Sequence, residues 1–85
     1  MEIDNNFKTD DIGLTSFLLT QEITLIDIVE DAPNHFSFLL ANPNKCDLLK
    51  HDFMNGELAP ARELLSYREM LITEIKTRRH NGNRK

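Results

Sequence analysis

The chain has a single cysteine, Cys46, three glycines among 85 residues, and no apolar run longer than Phe38-Leu39-Leu40-Ala41. Each scarcity closes off a class of protein. One thiol makes no internal disulfide, and without paired CxxC ligands there is no zinc staple. A four-residue run falls far short of the ~20 residues that span a bilayer. The opening Met-Glu-Ile-Asp is acidic where an export signal would be basic. With a free thiol, this leads to the expectation of a cytoplasmic protein with no membrane association. No glycine-rich phosphate loop, H-E-x-x-H or G-x-S-x-G motif is present. So short a chain is also poorly equipped to enclose a substrate pocket of ~300 Å³ or more. The expectation is a non-enzymatic protein without metal or cofactor.

What the chain does contain is ordinary in amount and uneven in placement. Its 40% apolar and 28% charged residues suit one globular domain. Residues 1–66 hold four Lys/Arg against twelve Asp/Glu, whereas residues 67–85 hold six against two. An acidic body with a basic end points to contact with a polyanion or with an acidic partner.

Thr9-Asp10-Asp11 followed by Ile12, Leu14, Phe17, Leu18 and Leu19 predicts a short first helix, capped by Thr9 or Asp10. Gly13 weakens it by about 1 kcal/mol relative to Ala. The β-branched stretch Ile23 to Glu30 predicts a strand, with Ile26 and Ile28 on one face and Leu25 and Val29 on the other. Asp31-Ala32-Pro33-Asn34 reads as a turn. His35 to Leu40 alternates, which makes an antiparallel hairpin with Phe36, Phe38 and Leu40 on one face. Asn42-Pro43 starts a second helix that Asn55-Gly56 ends. Pro60 opens the longest helix, striped by Ala61, Leu64, Leu65, Leu71, Ile72 and Ile75 and fraying near His80. The expected fold is α+β: a single domain over residues 1–80 in the order helix, hairpin, helix, helix, with residues 81–85 a disordered basic tail. A lone hairpin is marginal in water. The expectation is that a second subunit covers the first strand in a homodimer, the alternative being a short third strand from residues 3–7.

The string Phe7-Lys8-Thr9-Asp10-Asp11-Ile12-Gly13-Leu14, Phe17-Leu18, Leu25, Phe36-x-Phe38, Phe53-x-Asn55-Gly56 and the Leu64-to-Leu71 helix resembles a family of small domains of unknown function from bacterial and phage genomes. The likeness covers about residues 7–75. It implies a T-x-D-[IL] start, a hairpin with an F-x-F strand and C-terminal helices, and an origin in a phage or mobile element. It implies no activity and no functional residues. The family would place a Gly at the turn before Leu25, where this chain has Glu22-Ile23-Thr24.

Candidate chemistry is sparse. Cys46 and His51 fall ~140° apart around a helix and cannot form a nucleophilic pair; Cys46 reads as a small buried hydrophobe. Asp47 and His51, at i and i+4, read as a solvated pair in the absence of a second ligand pair. Asp10 and Asp11 read as capping acids. His35 and His80 read as surface residues. Arg68 falls amid the long helix's apolar stripe; it reads as a structural salt bridge to Asp27, the one charge inside the first strand, or as a protein–protein interface residue. Lys76, Arg78, Arg79, Arg84 and Lys85 form the candidate polyanion contact, although no aromatic is interleaved as single-strand binding favours. Residues after Thr77 extend no apolar stripe, so their deletion is expected to leave folding intact. The leading expectation is a small interaction or accessory protein that binds another protein. Nucleic-acid binding through the basic end is the alternative.

Overall fold

The computed structural model describes residues 6–57 and 59–82, the last three of these through their backbone. In chain order the elements are β1 (Phe7–Thr9), α1 (Ile12–Thr20), β2 (Leu25–Ala32), β3 (His35–Leu40), α2 (Pro43–Met54) and α3 (Ala61–Gly82). The α+β class and the order helix, hairpin, helix, helix are as the sequence implies. The short N-terminal strand is present and begins at Phe7, at the end of the stretch expected to supply it. It pairs antiparallel with β3, Phe7 opposite Leu40 and Thr9 opposite Phe38, so the sheet order is β1-β3-β2. The hairpin thus gains a third strand from its own chain, which removes the need for a second subunit to supply one.

The β2–β3 pairing runs to Ala32 opposite His35, leaving Pro33-Asn34 as a two-residue loop rather than four. Asn34 takes a positive φ of 62°, which asparagine tolerates better than most residues. β2 does not alternate as expected. A register irregularity between Leu25 and Asp27 puts Leu25 opposite Leu40 and Ile28 opposite Phe38. Leu25 and Ile28 therefore share the core side, and Ile26 is turned out, 50% exposed. Ile23 lies outside the strand and is buried in the core.

α1 is capped by Asp11, one residue later than expected: its carboxylate accepts the Leu14 N–H at 3.0 Å. The Asp11 N–H in turn donates to the Thr9 hydroxyl at 3.1 Å. The helix ends in a Schellman turn, with Ile23 N–H donating to Leu18 O and Glu22 N–H to Leu19 O, both at 3.1 Å. Glu22 stands at the left-handed position, φ 68°, where glycine normally serves. This is the turn at which the resemblance places a glycine. α2 closes with the same pair of bonds, Glu57 N–H to Asp52 O and Gly56 N–H to Phe53 O, with Gly56 at φ 86°. At the other end of α2, Asn42 precedes Pro43 as expected but is left-handed (φ 58°) and its side chain makes no capping bond.

The core joins Leu14, Phe17, Leu18 and Leu19 of α1 to Ile28, Phe36, Phe38 and Leu40 of the sheet, with Cys46 from α2 and Leu71 from α3. All six residues from Leu14 to Leu19 are buried, so α1 is covered on every side. Thr15 and Ser16 lie within that burial because their hydroxyls donate to the carbonyls of Asp11 and Ile12 four residues back. α1 packs against α3 and against α2. In the α2 contact Phe17 and Phe53 lie tilted with ring centroids 5.3 Å apart. Burying a side chain of Phe17's size is worth about 3 kcal/mol. Among the described residues no helix is long and apolar enough to cross a membrane.

Candidate interaction surface

α3 presents a different face to the core than its stripe suggests. Leu71 is buried, with Leu64, Tyr67 and Ile75 packed beside it, while Leu65 is 60% exposed. Tyr67, rather than Leu65, completes the inward line, and the helix is turned by roughly 60° from the face centred on Arg68. Arg68 is consequently exposed and has no ion pair among the described residues. The expected Arg68–Asp27 bridge is replaced by another. Seven residues beyond Leu71, and so on nearly the same helical face, Arg78 reaches β2. Its Nη1 donates to the Ile28 carbonyl at 2.8 Å, its Nη2 lies 3.8 Å from Asp27 Oδ1, and its Nε donates to Glu74 at 3.2 Å. Asp27 Oδ1 also accepts the Ile28 N–H at 2.8 Å. Both backbone polar groups of Ile28 are thereby bonded to side chains. An open strand edge invites another strand; here Asp27 and Arg78 occupy it.

Beside this clamp, β2 and α3 border a common hollow. A groove of about 270 Å³ lies between them, lined by Leu25, Ile26, Ile28, Met70 and Leu71, with Asp27, Glu74 and Arg78 along it. Ile26 and Met70 are each about half exposed and share this one concavity. The bulge in β2 turns Ile26 into the groove, and the rotation of α3 brings Met70 to its other wall. A second hollow, about 390 Å³, lies against the consecutive residues Asn42–Lys45 and brings no separate elements together.

The remaining basic residues divide. Arg79 lies over the Phe36 ring, 5.9 Å from its centroid, a cation–π contact that ties the helix end to β3. Lys76 is exposed. Arg84 and Lys85, with the rest of the tail from residue 83, lie outside the described residues. The backbone is helical through Gly82, past the end expected near His80. Two members of the candidate polyanion contact, Arg78 and Arg79, are thus engaged within the fold. Residues after Thr77 therefore make contacts to the sheet that the apolar stripe does not announce.

A second polar cluster joins β1, β2 and β3. His35 Nδ1 is 2.6 Å from Asp31 Oδ1, and its Nε2 is 2.9 Å from Asp10 Oδ2. Ser37 donates to Asp31 Oδ2 at 2.8 Å, and Lys8 lies 3.2 Å from the same oxygen. The imidazole and the serine hold the Asp31 carboxyl well below the usual carboxylate range. Hydrogen bonding to Asp31, then to Asp10, raises the affinity of His35 for its proton. The cluster contains serine, histidine and aspartate but not the arrangement of a nucleophilic triad. The hydroxyl donates to a carboxylate, and both ring nitrogens face carboxylates, so no nitrogen is left to take a proton from Ser37. Asp10 and Asp11 part ways: one meets His35, the other caps α1. The hairpin itself hinted at this cluster, since Asp31 and His35 flank its turn; the contribution of β1 did not show.

Cys46 is buried, its Sγ donating to the Ala41 carbonyl at 3.2 Å, and desolvation pushes its pKa up. Such a thiol is a packing residue and a poor nucleophile. Asp47 and His51 are exposed. Among the described residues no group of three or more His, Cys, Asp or Glu is placed to hold a metal ion. Compared with known proteins, the chain matches no family model, no curated protein and no solved structure.

Proposed function

We propose that the protein is a non-enzymatic interaction protein that binds another protein through the groove between β2 and α3. The observation that carries this reading is the pair Ile26 and Met70, half exposed on facing walls of one apolar concavity. A water-facing apolar surface of this kind gains free energy when a partner covers it. Asp27, Glu74 and Arg78 give the groove charges of both signs with which to orient that partner. The clamp on Ile28 favours side-chain insertion over the addition of a strand to β2. The partner is cytoplasmic in this reading, which agrees with the free, buried Cys46. The bonds made by Arg78 and Arg79 within the fold weigh against the basic helix end as the primary site.

A pull-down from the native host at low and high salt, with the wild type and Ile26→Glu, tests the proposal. Retention that persists in high salt and is lost in Ile26→Glu is expected. Binding to duplex DNA through about four phosphates would instead fall with a log–log salt slope near −3.6. Salt-sensitive retention indifferent to Ile26→Glu would overturn the groove reading in favour of nucleic acid.

A further inference from the structure

We propose that His35 is a proton-operated latch, tying the entrance of α1 to the β2–β3 hairpin and releasing Asp10 when the ring loses a proton. The geometry requires two donors. Nδ1 and Nε2 lie 2.6 and 2.9 Å from carboxylate oxygens of two different residues, and only the imidazolium carries an N–H on each nitrogen. Asp10 comes from the β1–α1 connection and directly precedes Asp11, the cap of α1. Asp31 comes from the end of β2. The ring therefore joins the end of β2 to a carboxylate 25 positions before His35 in the chain.

The neutral ring can donate to only one carboxylate, and the surroundings decide which. Asp31 is the nearer, its side chain is 27% exposed, and Ser37 from β3 and Lys8 from β1 hold its other oxygen. Asp10 is 61% exposed and can return to water. The proton that stays is the one on Nδ1, facing Asp31. Nε2 then turns a lone pair toward Asp10, and the attraction at that contact becomes repulsion. Asp10 and Asp31 face the ring and Lys8 lies behind Asp31, so with His35 protonated the cluster has two charges of each sign. Loss of the proton leaves it net negative, which drives the more exposed carboxylate away. The two carboxylates also shift the release to a pH above the ordinary histidine value.

Titration of the intact protein by NMR, following the imidazole nitrogens of His35 and the backbone amides of Asp10, Asp11 and Ile12, tests the latch. The expected result is one shared midpoint above about 6.5, with the neutral ring protonated on Nδ1. In Asp10→Asn the His35 midpoint moves down, because a neutral amide no longer favours the imidazolium. A neutral ring protonated on Nε2, amides at 10–12 that stay flat while His35 titrates, or a midpoint at or below the ordinary value would each overturn it. The wild-type titration uses no variant, so a folding defect in Asp10→Asn cannot mask the answer.

Discussion

α1 and α3 pack against each other but are made of opposite material. α1 has nine residues, six of them buried in succession, whereas α3 has 22 residues with Leu71 as its one buried side chain among those described. α1 is held mainly by burial between its two caps, so almost every position in it belongs to folding. α3 is held along one narrow line, Leu64, Tyr67, Leu71 and Ile75, and by Arg78 at its far end. The rest of its surface is free for other work, and Met70 on the wall of the groove is part of that surplus. In the proposed reading, folding and recognition fall largely on different faces of α3.

Truncations in the buried set should give the largest effect. Phe17→Ala should lose about 3–5 kcal/mol and Leu71→Ala about 2–4 kcal/mol in urea unfolding, against no more than about 0.5 kcal/mol for Met70→Ala. A Met70→Ala loss equal to that of Leu71→Ala would break the distinction between the two faces of α3. Arg78→Ala should come next, at about 1 kcal/mol, because it strips a partly exposed cation from the Ile28 carbonyl. Arg68→Ala should stay within about 0.5 kcal/mol. The reverse order would mean that α3 sits in the rotation its sequence stripe first suggests. Truncation after Thr77, which removes Arg78 and Arg79 together, should lower the melting temperature measurably.

Glu22→Gly should stabilise the protein by about 0.5 kcal/mol by relieving the left-handed strain at the end of α1. Loss of stability would mean that the Glu22 side chain holds something the backbone does not reveal. The smallest effect should be in pH. The folded-state pKa of Asp31 is lowered, so its contribution is present above the unfolded value near 3.8 and lost only in strong acid. That of His35 is raised, so its contribution is complete below 6.5 and lost as pH rises through the folded value. Chemical denaturation across pH should therefore show stability declining on the alkaline side of 6.5, and His35→Ala should flatten that decline.

The sequence made the fold legible wherever one signal acted locally. Asn55-Gly56 ends α2 as read, since glycine at φ 86° is the usual chemistry of that turn. The matching turn after α1 was not legible, because Glu22 occupies the glycine position and the bonds from Ile23 and Glu22 sustain it regardless. The hairpin was legible, but the bulge in β2 was not: no glycine marks it, and it is the bulge that turns Ile26 outward. The groove escaped for the same reason. It depends on that bulge and on a rotation of α3 that substitutes Tyr67 for Leu65, a choice made by packing against α1 rather than by helical period. Arg78 and Asp27 each stand out in the sequence, in separate roles, and only the fold makes them partners.

The central claim is that the groove between β2 and α3 receives a partner and that other exposed apolar positions do not. A photo-crosslinking residue placed at Met70, and separately at Leu48, which is exposed on α2, tests this in native host lysate. The account predicts a discrete, salt-resistant protein adduct at Met70 that disappears when Ile26→Glu is added, and none at Leu48. Equal adducts at both positions, or an adduct at Met70 indifferent to Ile26→Glu, would contradict it.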